Sequence, residues 1–220
     1  MTTLALFGTS ADPPTAGHQQ ILRHLSYQYD QVIAWASDNP MKTDQTPLVH
    51  RAAMLQLLVN DIHPQRPNLK CRQDLSYPRT IHTIEQVQKE WPDADITLVV
   101  GSDLIQQLPR WYQVRSLLEQ VKLLVVPRPH YAIDPDAINQ LQQLGAAVAI
   151  ANFQGLPVSS TAYRNAQQQY SQPNQGQTVQ PSLAESSPHP SSSHNIPSKA
   201  LGITPPVHAY IMRERLYDRR

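Results

Sequence analysis

A short apolar run that does not alternate stands directly before a helical pattern at the start of the chain. Residues 4–7 (LALF) suit a strand buried on both faces, as in a parallel sheet, and Gly8 ends the run. Beyond Pro13 and Pro14, apolar residues recur at helical spacing and place His18 in the first turn of a helix. Because such a strand needs helices on both sides of its sheet, this junction predicts an α/β fold.

The chain that follows alternates strands and helices in the order that a doubly wound sheet requires. Its apolar patterns predict strands over 31–37, 95–101, 122–127 and 146–151, and helices over 50–62, 80–91, 115–121, 134–145 and 205–217. Asp134 is a candidate helix cap, and Gly145 a candidate helix end. The short connections make βα units in a single domain with a parallel sheet. A ligand site is therefore expected at the carboxyl ends of the strands, beside the switch in strand order.

Residues 165–198 break this pattern. Gln, Ser and Pro dominate there, and Glu185 is the only charged residue. Such a segment has no apolar face that offsets the entropy of ordering it, so a disordered insertion is predicted within a domain made of 1–164 and 199–220. His189 and His194 lie in this tract, where histidines are far more often solvated than metal-bound, and no metal site is assigned to them.

Composition narrows the class of protein. The 220 residues carry a formal charge of +1, and basic residues cluster only in the final RERLYDRR, so neither a nucleic-acid polymer nor an anionic membrane is expected as a partner. The single cysteine, Cys71, excludes an internal disulfide and fits a reducing compartment. No apolar stretch approaches about eighteen residues, and the first residues lack a signal-peptide pattern. The expectation is a soluble cytoplasmic protein.

The loop between the first strand and the first helix carries residue types that bind phosphate. A helix start exposes unpaired N–H groups and the positive end of the helix dipole. Thr9, Ser10 and Thr15 add hydroxyl groups, Gly17 allows close approach of a ligand, and His18 supplies an imidazole. The loop is neither a P-loop nor a GxGxxG fingerprint. The alternative is that His18 is an ordinary polar residue at a helix start.

The stretch GSDLIQQLPRWY (101–112) follows a predicted strand and falls at the same edge of the sheet. Gly101 permits close approach, Asp103 is suited to accept a hydrogen bond from a ribose hydroxyl, and Trp111 offers a flat face to a heteroaromatic ring. The alternative is a turn aspartate beside a half-buried core tryptophan.

The stretch VSSTAYR (158–164) places hydroxyl groups before a short helix, with Arg164 inside it. Hydroxyls, amides and a guanidinium at one helix start are again suited to phosphate. The alternative is an ordinary capped helix that carries a surface arginine.

Together these stretches resemble a known enzyme family. GTSADPPTAGH and VSSTAYR are similar to the HxGH-type nucleotidyltransferase superfamily, and GSDLIQQLPRWY with VVPRPHY narrows the resemblance to nicotinate-nucleotide adenylyltransferases. The resemblance spans 3–164 and 201–217. It implies a Rossmann-like domain that condenses ATP with nicotinate mononucleotide to nicotinate adenine dinucleotide and pyrophosphate, with Mg²⁺ bound through the phosphates of ATP.

The resemblance also implies roles for individual residues. The catalytic residues would be His18, Thr15 and Arg164, of which the first two donate to the transferring phosphate. The ATP site would consist of Gly8, Thr9, Ser10, Gly17, Gly101, Asp103, Ser159, Ser160 and Thr161. The mononucleotide site would consist of Lys42, Thr80, Trp111 and Tyr112.

The chain departs from the family pattern at a few positions. Thr15 stands where the first histidine of HxGH is usual, Ala11 where an aromatic residue is common, and Arg79 where tyrosine is common before the Thr80 and Thr83 pair. Threonine keeps a hydrogen-bond donor but carries no charge, so His18 must supply the imidazole alone. Capping of the helix from residue 80 is an alternative role for both threonines.

Other functions remain open at this point. A sister enzyme would use nicotinamide mononucleotide or phosphopantetheine in place of nicotinate mononucleotide. A nucleotide-binding module without turnover is a second alternative, favoured by the loss of the first histidine, and an interaction protein that uses the insertion is a third. A homo-oligomer is also left open.

Overall fold

The computed structural model describes residues 1–39, 42–129, 131–170 and 202–217. The strands are β1 (Thr3–Thr9), β2 (Gln31–Ala36), β3 (Leu69–Cys71), β4 (Asp95–Gly101), β5 (Lys122–Val126) and β6 (Ala147–Ile150). The helices are α1 (Ala16–Gln28), α2 (Leu48–Asn60), α3 (Thr80–Glu90), α4 (Val114–Gln120), α5 (Pro135–Gln143), α6 (Ser160–Tyr170) and α7 (Pro205–Glu214). All paired strands are parallel, in the order β3-β2-β1-β4-β5-β6. The doubly wound α/β prediction is confirmed.

The strands are apolar without alternation because both faces of the sheet are covered. In β1, Leu4 and Leu6 belong to the core beneath α3, α4 and α5. Ala5 and Phe7 belong to the core beneath α1, α2, α6 and α7. Successive side chains of a strand point to opposite faces, so one short apolar run contributes to both cores.

The order of the strands reverses at β1, which pairs with β2 on one side and with β4 on the other. The loops that leave the carboxyl ends of β1 and β4 therefore diverge and leave a crevice between them. Residues 8–10 lie at one of these ends and residues 101–103 at the other. This switch point is the position at which the βα pattern predicts a ligand.

The structure differs from the sequence prediction in two places. Strand β3 has no apolar run of its own and was not predicted, since it is a short strand at the edge of the sheet. Helix α6 continues to Tyr170, so residues 165–170, the first part of the predicted insertion, are helical. The rest of the predicted insertion, with His189 and His194, lies outside the described residues.

Two further expectations concern the kind of protein. Within the described ranges, no helix is both long enough and apolar enough to cross a bilayer. Cys71 is half-buried and unpaired, and burial raises the pKa of its thiol to about 12. A thiol with such a pKa stays protonated at neutral pH and is a poor nucleophile.

Candidate functional site

His18 is held by the residue that caps its helix. The main-chain N–H of Thr15 donates to Nδ1 of His18 at 3.0 Å, and the Thr15 hydroxyl lies 2.9 Å from the same atom. Because a main-chain N–H can only donate, Nδ1 is the acceptor and the ring proton is assigned to Nε2. Thr15 is fully buried, whereas His18 is partly exposed. The ring is thus set in one orientation with one free donor.

The charge of this ring is also determined by its surroundings. Burial lowers the pKa of His18 to about 4, and the positive charge of Arg128 acts in the same direction. The free imidazole is therefore neutral at physiological pH and donates through Nε2. Thr15 and His18, which the sequence predicted as a pair, form one unit at the start of α1.

The loop after β1 is built partly by packing. A Cβ atom on Gly8 would lie 2.7 Å from the Trp35 ring, so glycine is required by the neighbouring strand. The Thr9 hydroxyl accepts from the N–H of Ala11 at 3.4 Å. Ala11 is buried with φ +50°, a left-handed conformation that turns the chain sharply after Ser10. These contacts give Gly8 and Thr9 structural roles beside the ligand roles predicted for them.

Arg51 joins this loop to the loop after β2. Its side chain is 3% exposed, and it donates to the carbonyl oxygens of Thr46 at 2.8 Å, Ser10 at 2.9 Å and Ser37 at 2.8 Å. Burial is the main cause that lowers its pKa. The sequence analysis assigned no role to Arg51. Its position was nevertheless a signal, because Arg51 is the one charged residue among the regularly spaced buried residues of α2.

Asp103 lies at the end of β4 with one oxygen paired and one free. Its Oδ2 accepts from Nη1 of Arg128 at 2.9 Å, while Oδ1 is buried with no hydrogen-bond partner among the described residues. A Cβ atom on Gly101 would lie 2.3 Å from that Oδ1, so a larger residue at position 101 would displace the Asp103 carboxylate. A buried acceptor without a donor is costly, and it marks a position where a ligand hydroxyl fits. Arg128, which was not predicted as a site residue, lies in the VVPRPHY stretch.

The start of α6 lies against the loop that precedes His18. The Ser160 hydroxyl donates to the carbonyl oxygen of Pro13 at 2.8 Å, and the Ser159 hydroxyl accepts from the N–H of Ala162 at 3.1 Å. A Cβ atom on Gly17 would lie 3.3 Å from Val158, so the starts of α1 and α6 are in contact. Ser159 thus caps α6, and Ser160 attaches the helix to the loop.

Arg164 is tied to the same loop by its guanidinium. It donates to the main-chain oxygen of Asp12, and its Nη1 lies 4.0 Å from the Asp12 carboxylate. Its Nη2 donates to the Thr161 hydroxyl at 3.3 Å. Asp12 is only 2% exposed, so this buried carboxylate helps to set where Arg164 lies.

Lys42 connects the loop after β2 to the loop after β1. Its ammonium group donates to the Ser10 hydroxyl at 2.8 Å. Desolvation is the main cause that lowers the pKa of Lys42, and the charges of Asp103, Arg164, Arg51 and Asp12 also act on it. Lys42 and Arg164 therefore belong, with Arg51, Asp12 and Asp103, to one cluster of charges above the switch point.

Of the remaining residues predicted for the mononucleotide, Thr80 and Tyr112 lie at the start of α3. Trp111 packs partly against the core, and Tyr112 is 49% exposed with the Arg79 guanidinium 5.6 Å from its ring centroid. Thr80 is half-buried at the first position of α3. Thr83 is buried and donates to the carbonyl oxygen of Leu75 at 2.8 Å, so its hydroxyl attaches α3 to the preceding segment and does not cap the helix.

Comparison with known proteins identifies a family that this chain matches. Residues 6–166 match the cytidylyltransferase-like family. The chain is 42% identical over 175 residues to a probable nicotinate-nucleotide adenylyltransferase from Synechocystis sp., which covers 73% of this chain and 87% of that relative. It is 33% identical over 171 residues to a protein of the same name from Gemmatimonas aurantiaca, which covers 74% of this chain and 79% of the relative.

Solved structures agree on the architecture. A Plasmodium falciparum nicotinic acid mononucleotide adenylyltransferase complexed with NaAD superposes with a TM-score of 0.76, over 100% of this chain and 99% of that one. The two sequences are 16% identical, so this likeness shows a common fold.

Proposed function

The chain belongs to the cytidylyltransferase-like family and, within it, to the nicotinate-nucleotide adenylyltransferases, and from this premise we propose that it transfers the adenylyl group of ATP to nicotinate mononucleotide. The products are nicotinate adenine dinucleotide and pyrophosphate, and the reaction belongs to NAD biosynthesis. The observation that carries the proposal is the His18 ring, which Thr15 presents with a free Nε2–H at the start of α1.

The reaction needs no covalent intermediate with the protein. A 5′-phosphate oxygen of the mononucleotide attacks the α-phosphorus of ATP, and the bond from that phosphorus to the α–β bridging oxygen breaks as pyrophosphate leaves. The nucleophile is already ionised and the leaving group is already stable. Alignment and stabilisation of charge at the α-phosphate are therefore the protein's main contributions.

His18 is proposed to donate Nε2–H to an oxygen of the α-phosphate as charge develops there. Loss of one such donor commonly costs about 2.7–4 kcal/mol of barrier. Thr15 is buried and already bonded to the ring, which favours a role in holding His18 over the direct phosphate donation expected from the sequence. Arg164, with Ser159, Ser160 and Thr161 at the start of α6, is proposed to hold the pyrophosphate end of ATP.

The adenosine is proposed to lie at the switch point. The free Oδ1 of Asp103 would accept from a ribose hydroxyl, which supplies the donor that this buried oxygen lacks. Gly101 leaves the space that Asp103 needs. Gly8, Thr9, Ser10 and Gly17 are proposed to line the nucleotide from the side of β1 and α1.

The mononucleotide is proposed to lie between the charged cluster and the start of α3. Trp111 would stack on the pyridine ring, beside Tyr112. The main-chain N–H groups of the first two residues of α3, Thr80 and Ile81, would receive the nicotinate carboxylate, and Lys42 would approach the phosphate. Arg79 adds positive charge near Tyr112 and the same helix start.

We also propose that Mg²⁺ enters with ATP. No group of three or more His, Cys, Asp or Glu side chains in the described ranges is arranged to hold a metal ion. The hydrogen-bond donors of the site are cationic side chains, hydroxyls and amide N–H groups, which bind phosphate oxygens. The Mg²⁺ ion would then be held by the phosphate oxygens of the substrate itself. Such an ion would supply neutralising charge at the leaving pyrophosphate. A cytoplasmic location fits these substrates, and a homo-oligomer stays a prediction from the sequence.

A pyrophosphate-release assay with ATP and Mg²⁺ tests the proposed function. The second substrates are nicotinate mononucleotide, nicotinamide mononucleotide and phosphopantetheine. Main-chain N–H groups favour a carboxylate, whereas an amide would present its own NH₂ to them. We expect kcat/KM to be at least about tenfold higher for the acid than for the amide, which is ~1.4 kcal/mol.

Each other result of this assay identifies a different function. Equal efficiencies, or a preference for the amide, would contradict the pocket drawn at Thr80 and Trp111. Turnover with phosphopantetheine alone would identify a sister enzyme. Binding of ATP and mononucleotide without pyrophosphate release would identify a nucleotide-binding module.

A further inference from the structure

The last described residue of the chain reaches the loop that precedes His18. Tyr217 donates its hydroxyl proton to Oδ1 of Asp12 at 2.7 Å, across 205 residues of sequence. The main-chain N–H of Thr46 approaches the other carboxylate oxygen at 3.4 Å. Asp12, almost fully buried, thus takes its hydrogen bonds from two distant parts of the chain.

The chain turns sharply between the end of α7, which Arg215 caps, and Tyr217. Arg215 and Tyr217 both have positive φ angles, 51° and 68°, in the left-handed region that side chains other than glycine seldom adopt. The Tyr217 ring meets the buried Tyr163 ring of α6 edge-on, with the centroids 5.6 Å apart. Such strain persists where surrounding contacts offset it, and here these contacts lie at the proposed site.

Asp12 in turn contacts the residue proposed to hold pyrophosphate. The Arg164 guanidinium donates to the main-chain oxygen of Asp12 and lies 4.0 Å from its carboxylate. The hydroxyl of Tyr217 and the guanidinium of Arg164 therefore act on one buried aspartate. A hydrogen bond to a buried carboxylate is among the stronger ones, because the charge has little water around it.

We infer that Tyr217 is a positioning residue for adenylyl transfer, which holds Asp12 so that Asp12 sets the place of the Arg164 guanidinium. This inference rests on the function proposed above and assigns part of the site to the far end of the chain. Burial, together with the negative charge of Asp12, raises the pKa of Tyr217 well above its ordinary value, so the phenol stays protonated and donates throughout the physiological range.

Tyr217→Phe removes only the hydroxyl, and Tyr210→Phe is its matched control. Tyr210 lies on α7 and its hydroxyl also bonds another side chain, His50, at 3.0 Å. In the pyrophosphate assay we expect Tyr217→Phe to lower kcat about tenfold, in line with a lost hydrogen bond to a charged group. Tyr210→Phe should keep the wild-type kcat. Unchanged kcat in Tyr217→Phe would overturn the inference.

A double-mutant cycle separates positioning from general stabilisation. If Tyr217 acts through Asp12 and Arg164, adding Tyr217→Phe to Arg164→Ala should change kcat by less than about twofold. The same tenfold loss in both backgrounds would overturn the inference, because the two residues would then act independently.

Asp12→Asn provides a second variant should Tyr217→Phe fail to fold. It keeps an oxygen that accepts from Tyr217 but loses the charge that faces Arg164, and we expect a kcat loss of about tenfold or more. Wild-type kcat in Asp12→Asn would overturn the inference. Absence of turnover in the wild-type protein itself would instead overturn the proposed function, and this inference with it.

Discussion

The main-chain N–H of Thr15 donates to Nδ1 of His18 at 3.0 Å, so the imidazole forms half of the capping box that starts α1. The usual residue at this third helical position of a capping box is Glu or Gln, whose side chain reaches back to the cap N–H. Here one contact both caps the helix and orients the ring. Glutamine at this position would keep the cap and lose the imidazole.

His18→Gln should therefore fold normally and lose activity. We expect kcat to fall by about 10²–10³, with a modest change in the KM for ATP, because the flexible amide of glutamine does not hold its N–H where the rigid imidazole holds Nε2–H for the α-phosphate. His50→Gln is the control, since His50 is also the third residue of its helix, α2. Pyrophosphate release and thermal melting measure the two effects. Retention of half the wild-type turnover would show that His18 only caps the helix.

The pKa of His18 predicts a pH dependence of stability. The folded value of about 4 lies below the ordinary 6.5, so the unfolded chain binds a proton that the folded chain does not over this interval. The free energy of unfolding of the nucleotide-free protein should then fall as pH drops from 6.5 to 4, by up to about 3 kcal/mol from this group.

His18→Gln isolates that contribution to stability. Denaturant titrations of both proteins at several pH values give the difference in unfolding free energy, in which all other titrating groups cancel. The wild-type protein should lose stability relative to the variant as pH falls through this interval. A difference that stays constant with pH would show that His18 titrates normally.

Arg51→Met should weaken both the fold and the site. The substitution leaves carbonyl oxygens of Ser10, Ser37 and Thr46 without their donor, at a cost of about 3 kcal/mol in unfolding free energy. Because Ser10 lies in the proposed ATP site, we expect the KM for ATP to rise about tenfold. Urea titration and steady-state kinetics measure the two quantities.

Arg66→Met is the matched control for Arg51→Met. Arg66 also bonds side-chain and main-chain oxygens, those of Ser26, but it lies near the amino ends of the strands, away from the switch point. The Arg66→Met variant should lose stability and keep the wild-type KM for ATP. An equal change of KM in both variants would mean that Arg51 acts on stability alone.

Replacement of residues 171–200 by a short Gly/Ser bridge should leave melting temperature and turnover near their original values. The composition of the insertion offers no apolar face for a core, and a shorter loop changes the closure entropy only slightly. The cut spares α6 and Gly202, whose carbonyl oxygen accepts from the N–H of Ala16 at 2.7 Å. A control that also removes Gly202 should lose stability. Unfolding of the first deletion would contradict the compositional argument.

Local patterns in the sequence were enough to determine most of the strands and helices of this protein. Unalternating apolar runs such as residues 4–7 and 95–101 predict strands buried on both faces, and the spacing after Pro14 places His18 in a first helical turn. These signals are local, because burial and helical periodicity act on residues that are neighbours along the chain. The βα alternation also predicts the edge of the sheet where a ligand binds.

Only the tertiary structure decided which side chains meet there. The pairings of Arg51 with Ser10, of Arg128 with Asp103 and of Tyr217 with Asp12 depend on how distant strands and helices pack together. Nothing in the spacing of these residues predicts the contacts. The same packing separates Thr83, which bonds the carbonyl of Leu75, from Thr80, which is half-buried at the first position of α3. A sequence motif indicates which chemical groups are present, whereas the order of the strands determines which of them lie within hydrogen-bond distance of each other.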